Sequence, residues 1–160
     1  MADLFPLFLF AHVLAAIVAF GPTFAIPVMA SMAAREPQVR PFLARVNLRL
    51  SNWLILPFAL SLWVSGSLMI IARGYEFGSG GTRWLELAIA VYAVSSFLAL
   101  VVGWPNTRQI VRLIQAGPPG PDGPPAELLR RVRRAQLLGY LLTVLFLTVL
   151  ALMVFKPTFG

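Results

Sequence analysis

His12 is the single histidine of this 160-residue sequence, and it stands in an apolar run, Phe10-Ala11-His12-Val13-Leu14-Ala15-Ala16. A neutral imidazole has one donor and one acceptor nitrogen. Three chemistries are therefore open to His12: a hydrogen-bonded structural residue that sets helix register, an axial ligand to haem or a metal, or a proton carrier. A second histidine is lacking, so a bis-histidine haem within one chain is excluded. A haem b at His12 would be five-coordinate, or would take a methionine, a tyrosine or a ligand from another chain. Met69 and Met153 are the thioether candidates. The chain has no cysteine, which removes disulfides, thiolate metal sites and iron–sulfur clusters.

Other catalytic patterns are missing. Asp3, Glu76 and Glu86 are far apart and read as solvated termini and loops. There is no histidine-rich metal spacing and no glycine-rich phosphate loop. Serine without a neighbouring base is not a nucleophile. Catalysis by this chain alone is not expected.

The elements that position His12 follow from the charges. The sequence is 59% hydrophobic and 12% charged, with a mean hydropathy of +0.82, whereas soluble domains are about a quarter charged. No acid, lysine or arginine lies between Asp3 and Arg35, Arg49 and Arg73, Glu86 and Arg108, or Arg134 and Lys156. Each gap can hold the roughly 20 residues that cross a bilayer core, and isolated strands cannot pair their backbone in lipid. The expected fold is all-α: one membrane domain, a four-transmembrane-helix bundle with helices at 4–32, 50–72, 86–106 and 136–156. The first segment lacks a basic start and exceeds the usual length of a signal peptide's apolar stretch, so it reads as a retained helix. Gly21-Pro22 and Pro27 are expected to kink it or begin its exit. Residues 117–125, Gly-Pro-Pro-Gly-Pro-Asp-Gly-Pro-Pro, read as a stiff extended linker. After it, Ala126-Glu127-Leu128-Leu129 restarts a helix that continues into the fourth crossing. The loop from Gly74 to Arg83 reads as short and flexible.

Orientation follows from arginine. Arg35, Arg40, Arg45 and Arg49 precede the second helix, and Arg108, Arg112, Arg130, Arg131, Arg133 and Arg134 lie between the third and fourth. The positive-inside rule turns both segments to the cytoplasm and puts both termini outside, in the periplasm of a bacterial inner membrane. Trp53 and Trp104 are expected at the inner interface and Trp84 at the outer one. The net charge of +7 is accounted for by these clusters, so no nucleic-acid partner is expected. Arg130, Arg131, Arg133 and Arg134 are suited to anionic headgroups, at about 1 kcal/mol per basic residue.

His12 lies roughly 12–14 Å along the first helix from Asp3 at about 1.5 Å per residue. Matching depth from the outer ends of the other helices reaches Ser65, Tyr92 and Thr148. These three hydroxyls and His12 form the expected polar layer, the candidate cofactor-binding site. Small residues at spacings of four offer contact faces: Ala11-Ala15-Ala19, Ser61-Ser65, Ser95-Ala99-Gly103 and Gly139-Thr143.

The opening Phe10-Ala11-His12-Val13-Leu14-Ala15-Ala16, the arginine-rich first loop, Trp84 after the outer loop and the ending Met153-Val154-Phe155-Lys156-Pro157 resemble a family of bacterial predicted integral membrane proteins of unknown function, built on four helices. The His-Val-Leu-Ala opening is also similar to the first helix of the copper resistance D and membrane protoporphyrinogen oxidase families. That second resemblance implies haem or copper at His12. The further polar membrane residues of those groups have no counterpart here.

Taken together, the sequence reads as a small non-catalytic membrane protein, an accessory subunit of a larger bacterial complex. Its partners would be the lipid bilayer and other membrane subunits or itself. The alternative is a haem- or copper-binding redox protein using His12. The third reading is a small transporter with a polar path through Ser61, Ser65, Tyr92, Ser95, Thr143 and Thr148, although the two halves show no repeat.

Overall fold

The computed structural model describes residues 4–78, 80–117 and 123–158. Among the described residues, four helices are long and apolar enough to cross a membrane: Phe5–Ala33, Arg40–Arg73, Arg83–Gln115 and Ala126–Phe155. The first belongs to α1 (Phe5–Arg35). The second joins α2 (Arg40–Leu50) to α3 (Leu56–Arg73) through a π-helical segment, Ser51–Ile55. The third joins α4 (Arg83–Phe97) to α5 (Trp104–Gln115) through a second π segment, Leu98–Gly103. The fourth is α6 (Ala126–Phe155).

The number of crossings is as the charge gaps require, and the second, third and fourth spans are longer than their gaps. α1 stays helical across Gly21-Pro22 and Pro27 as far as Arg35, where the Glu36 N–H closes it on the Met32 carbonyl at 2.9 Å. A membrane helix tolerates proline because neighbouring groups take up the freed carbonyls. α2 and α5 carry helix into the arginine-rich segments, where they pack against each other. Burial of Val111 and Asn106 on α5 shows that this packing holds the helix beyond the apolar stretch. At the other end α3 stops at Gly74, whose φ of +64° and N–H bond to the Ile70 carbonyl at 3.0 Å are those of a left-handed helix cap.

The bundle is built from helix pairs. α1 lies along α3, α4 along α6, and α2 against α5. The α1–α3 seam buries Ala15, Ala19 and Leu62, with Phe20, Phe58, Ala59 and Tyr92 packed around them. Of the small-residue stripe on α1, Ala15 and Ala19 are buried while Ala11 is exposed. Stacked rings of Phe20 and Phe146, with centroids 3.9 Å apart, join α1 to α6.

Residues 74–78 and 80–82 carry hydrogen bonds within the connection and to the head of α4. Thr82 Oγ1 donates to the Glu76 carbonyl at 2.7 Å, the Gly78 N–H donates to Glu86 Oε1 at 2.5 Å, and Trp84 Nε1 donates to the Gly81 carbonyl at 2.9 Å. Tyr75 meets the Trp84 ring edge-on at 6.2 Å, and Lys156 Nζ lies 5.5 Å from its centroid. Trp84 is only 6% exposed. It is therefore a buried anchor beneath the loop. Trp53, 78% exposed, does face outward. Trp104 is half-buried, donating to Asn52 Oδ1 at 2.8 Å beneath the Arg108 guanidinium.

Candidate functional site

The face of α1 that carries Ala15 and Ala19 also carries His12, at the same three- and four-residue spacing. Because that face is pressed on α3, the imidazole is directed at α3. There His12 Nδ1 lies 2.9 Å from Ser65 Oγ. Opposite the ring is Gly66: a Cβ at that position would lie 3.5 Å from His12 Cε1. A methyl group would just fit, and anything larger would displace the ring.

Ser65 determines which imidazole nitrogen carries the proton. Its hydroxyl lies 2.9 Å from the Ser61 carbonyl and 3.4 Å from that of Leu62. The single hydroxyl proton is directed to its own helix, so Ser65 Oγ accepts from His12 Nδ1–H. The tautomer is assigned from the hydrogen-bond network. Nε2 then keeps its lone pair, with no hydrogen-bond partner among the described residues.

The rest of the expected polar layer does not converge on the histidine. Tyr92 donates to the Ala59 carbonyl at 2.6 Å, and its ring packs at 5.1 Å on Trp63, whose Nε1 donates to Ser96 Oγ at 3.3 Å. Thr148 is exposed on α6 and bonds the Val144 carbonyl at 2.9 Å. Ser61, Ser95 and Thr143 likewise bond carbonyls of their own helices. In an apolar setting the carbonyl one turn back is the nearest acceptor, and Ser and Thr take it. Of the four residues at matched depth, the structure brings together His12 and Ser65. Tyr92 clamps α4 to α3 one and a half turns away, and Thr148 faces outward. Met69 and Met153 are half-buried. No group of three or more His, Cys, Asp or Glu occurs among the described residues.

Removing either partner of the His12–Ser65 pair breaks an interhelical hydrogen bond. In a double-mutant cycle of His12→Ala and Ser65→Ala, we expect a coupling of about 0.6 kcal/mol, up to about 2. Reversible unfolding in mixed micelles would read it, and a coupling of zero would show that the pair does not hold α1 to α3.

Two further features lie outside the polar layer. Asn106 is 4% exposed, its Nδ2 donates to the Arg131 carbonyl at 3.0 Å, and its Oδ1 is buried without a partner, as is Asn47 Oδ1. An amide directly after Trp104-Pro105, where the apolar run ends, was the available signal. The second is the arginine-rich end of α6. Arg131 pairs with Glu127 at 2.8 Å. Arg130, Arg133 and Arg134 instead line an open groove of about 410 Å³, with Val102, Leu137, Leu138 and Leu141.

Comparison with known proteins agrees with this architecture. The model of a family described as "Predicted integral membrane protein (DUF2269)" matches residues 6–157. No curated protein matches the chain, and no solved structure does. Four apolar helices and a match over almost the whole sequence place the chain in this family of predicted multi-pass integral membrane proteins, to which it belongs.

Proposed function

We propose that this chain is a non-catalytic accessory subunit of a larger complex in the bacterial inner membrane, with both termini on the periplasmic side. The observation that carries the reading is the state of α6. It has no buried residue along its whole length, whereas α1, α3 and α4 all have some. Its outward side chains include Leu137, Tyr140, Val144, Leu147 and Val154, between 48% and 68% exposed. A helix held on one side only has a long face left for another helix, and lateral association in lipid depends on such packing.

A photo-crosslinking amino acid at Val144 or Leu147 tests this in native membranes. The expected result is one discrete polypeptide adduct from these positions and none from Phe24 or Val28, which are exposed on α1. Adducts to lipid alone from α6 would overturn the reading.

A second reading is favoured by the lone pair left on His12 Nε2. A hydrogen bond from one ring nitrogen, such as Nδ1–H to Ser65 Oγ, orients an imidazole whose other nitrogen is a ligand. In this reading His12 would hold a haem b or copper, and Ser65 would orient the ring. The bound group would supply the electron-transfer chemistry. A preparation from haem- and copper-replete cells should then show a Soret band or bound copper that His12→Ala abolishes. A colourless, metal-free preparation would remove this reading.

A further inference from the structure

On α6 the residues at 130, 133, 134, 137, 138 and 141 recur at three- and four-residue intervals, so they share one face of the helix. Together with Val102 of the second π segment, that face lines the groove of about 410 Å³. Its chemistry changes along the helix axis. Arg130, Arg133 and Arg134 occupy one end, and the wall beyond them is wholly apolar. At about 1.5 Å per residue the apolar part runs roughly 10 Å past Arg134.

Ordinary juxtamembrane charge does not account for this arrangement. Arg131, outside the groove, is neutralised by Glu127. The three groove arginines are paired with no carboxylate among the described residues. Arg130 stands three and four residues before Arg133 and Arg134, a spacing at which like charges oppose the helix. An anion between them would reverse that repulsion. The apolar wall is shaped as well: the third span swells into a π segment beside it, and a Cβ at Gly103 would come within 3.2 Å of Leu138 Cδ2. π segments of this kind recur at functional sites.

We propose that this groove is a binding site for one anionic phospholipid of the surrounding bilayer. The phosphate sits among Arg130, Arg133 and Arg134, whose planar guanidinium groups match phosphate oxygens in pairs. One acyl chain lies along Val102, Leu137, Leu138 and Leu141. Charge at one end and hydrocarbon along the other match a phospholipid, and neither a free anion nor an acidic protein segment would use both. The site rests on neither reading given above: it does not involve His12, and of the α6 side chains named for a partner helix it shares Leu137 alone.

Native mass spectrometry of the full chain in detergent, titrated with dioleoyl phosphatidylglycerol or dioleoyl phosphatidylcholine, tests the proposal. One phosphatidylglycerol per chain should be retained in preference to phosphatidylcholine. Each of R130Q, R133Q and R134Q should weaken it by about fivefold, and the triple variant by well over tenfold. The double variant R108Q/R112Q, at the same end of the bundle and outside the groove, should leave it unchanged. Filling the apolar wall by Val102→Trp, or by Leu141→Trp should the first not fold, should also weaken binding although every arginine remains. Equal retention of both lipids, equal loss in R108Q/R112Q, or full retention in the tryptophan variants would each overturn the site. Complete displacement by millimolar inorganic phosphate would likewise show that the acyl chain contributes nothing.

Discussion

Replacing Trp84 by alanine is expected to destabilise the bundle by about 3–5 kcal/mol, the usual loss for a large buried aromatic. Trp84 is 6% exposed and lies at the head of α4, with Leu85 and Ala88 buried beside it. It joins three parts of this end of the bundle. The indole N–H holds the loop at Gly81, Tyr75 packs edge-on against the ring, and Lys156 approaches the ring from the end of α6. Alanine leaves a void and loosens the loop and the α6 terminus together. Phenylalanine keeps most of the packing and loses the hydrogen bond to Gly81, so Trp84→Phe should cost only about 1 kcal/mol. Reversible unfolding in mixed micelles would measure both. A Trp84→Ala loss below that of Trp84→Phe would show that the ring is not a packing anchor.

The second large effect is expected at Ala19, which is fully buried in the α1–α3 seam against Leu62. Close approach of two membrane helices depends on such small side chains. Ala19→Phe forces a ring into a filled interface, at a cost of about 1–3 kcal/mol where the helices can yield and more where they cannot. The variant should also separate His12 from Ser65, because the two sites share one seam. Ala25→Phe, on an exposed position of the same helix, should change stability by less than about 0.5 kcal/mol. Equal effects at positions 19 and 25 would contradict the observed rotation of α1.

Some of this architecture was legible in the order of residues, for a physical reason. A charge in hydrocarbon is costly, so the gaps between charged residues count the crossings without reference to packing. Helix ends were less legible. Arg40 to Arg49 and Arg108 to Gln115 are helical because α2 and α5 pack on each other, and that contact joins distant parts of the chain. Trp84 carried the composition of an interface residue, but its burial comes from a loop and a helix terminus that fold over it. The polar layer shows the same division. Counting from the membrane edge gives a residue's depth and leaves its rotation about the helix axis open. His12 and Ser65 meet because each lies on the small-residue stripe of its helix, Ala15-Ala19 and Ser61-Ser65. Tyr92 and Thr148, expected at the same depth, bond elsewhere.

The central claim, that the chain works as a subunit and not alone, is tested most directly by its migration after gentle extraction from native membranes. The 17.5 kDa chain should co-migrate in a mild detergent with a second membrane polypeptide in fixed ratio. That ratio should be lost when Val144 and Leu147 are changed together to tryptophan. A chain that migrates by itself from its native membrane, in every mild detergent tried, would contradict it.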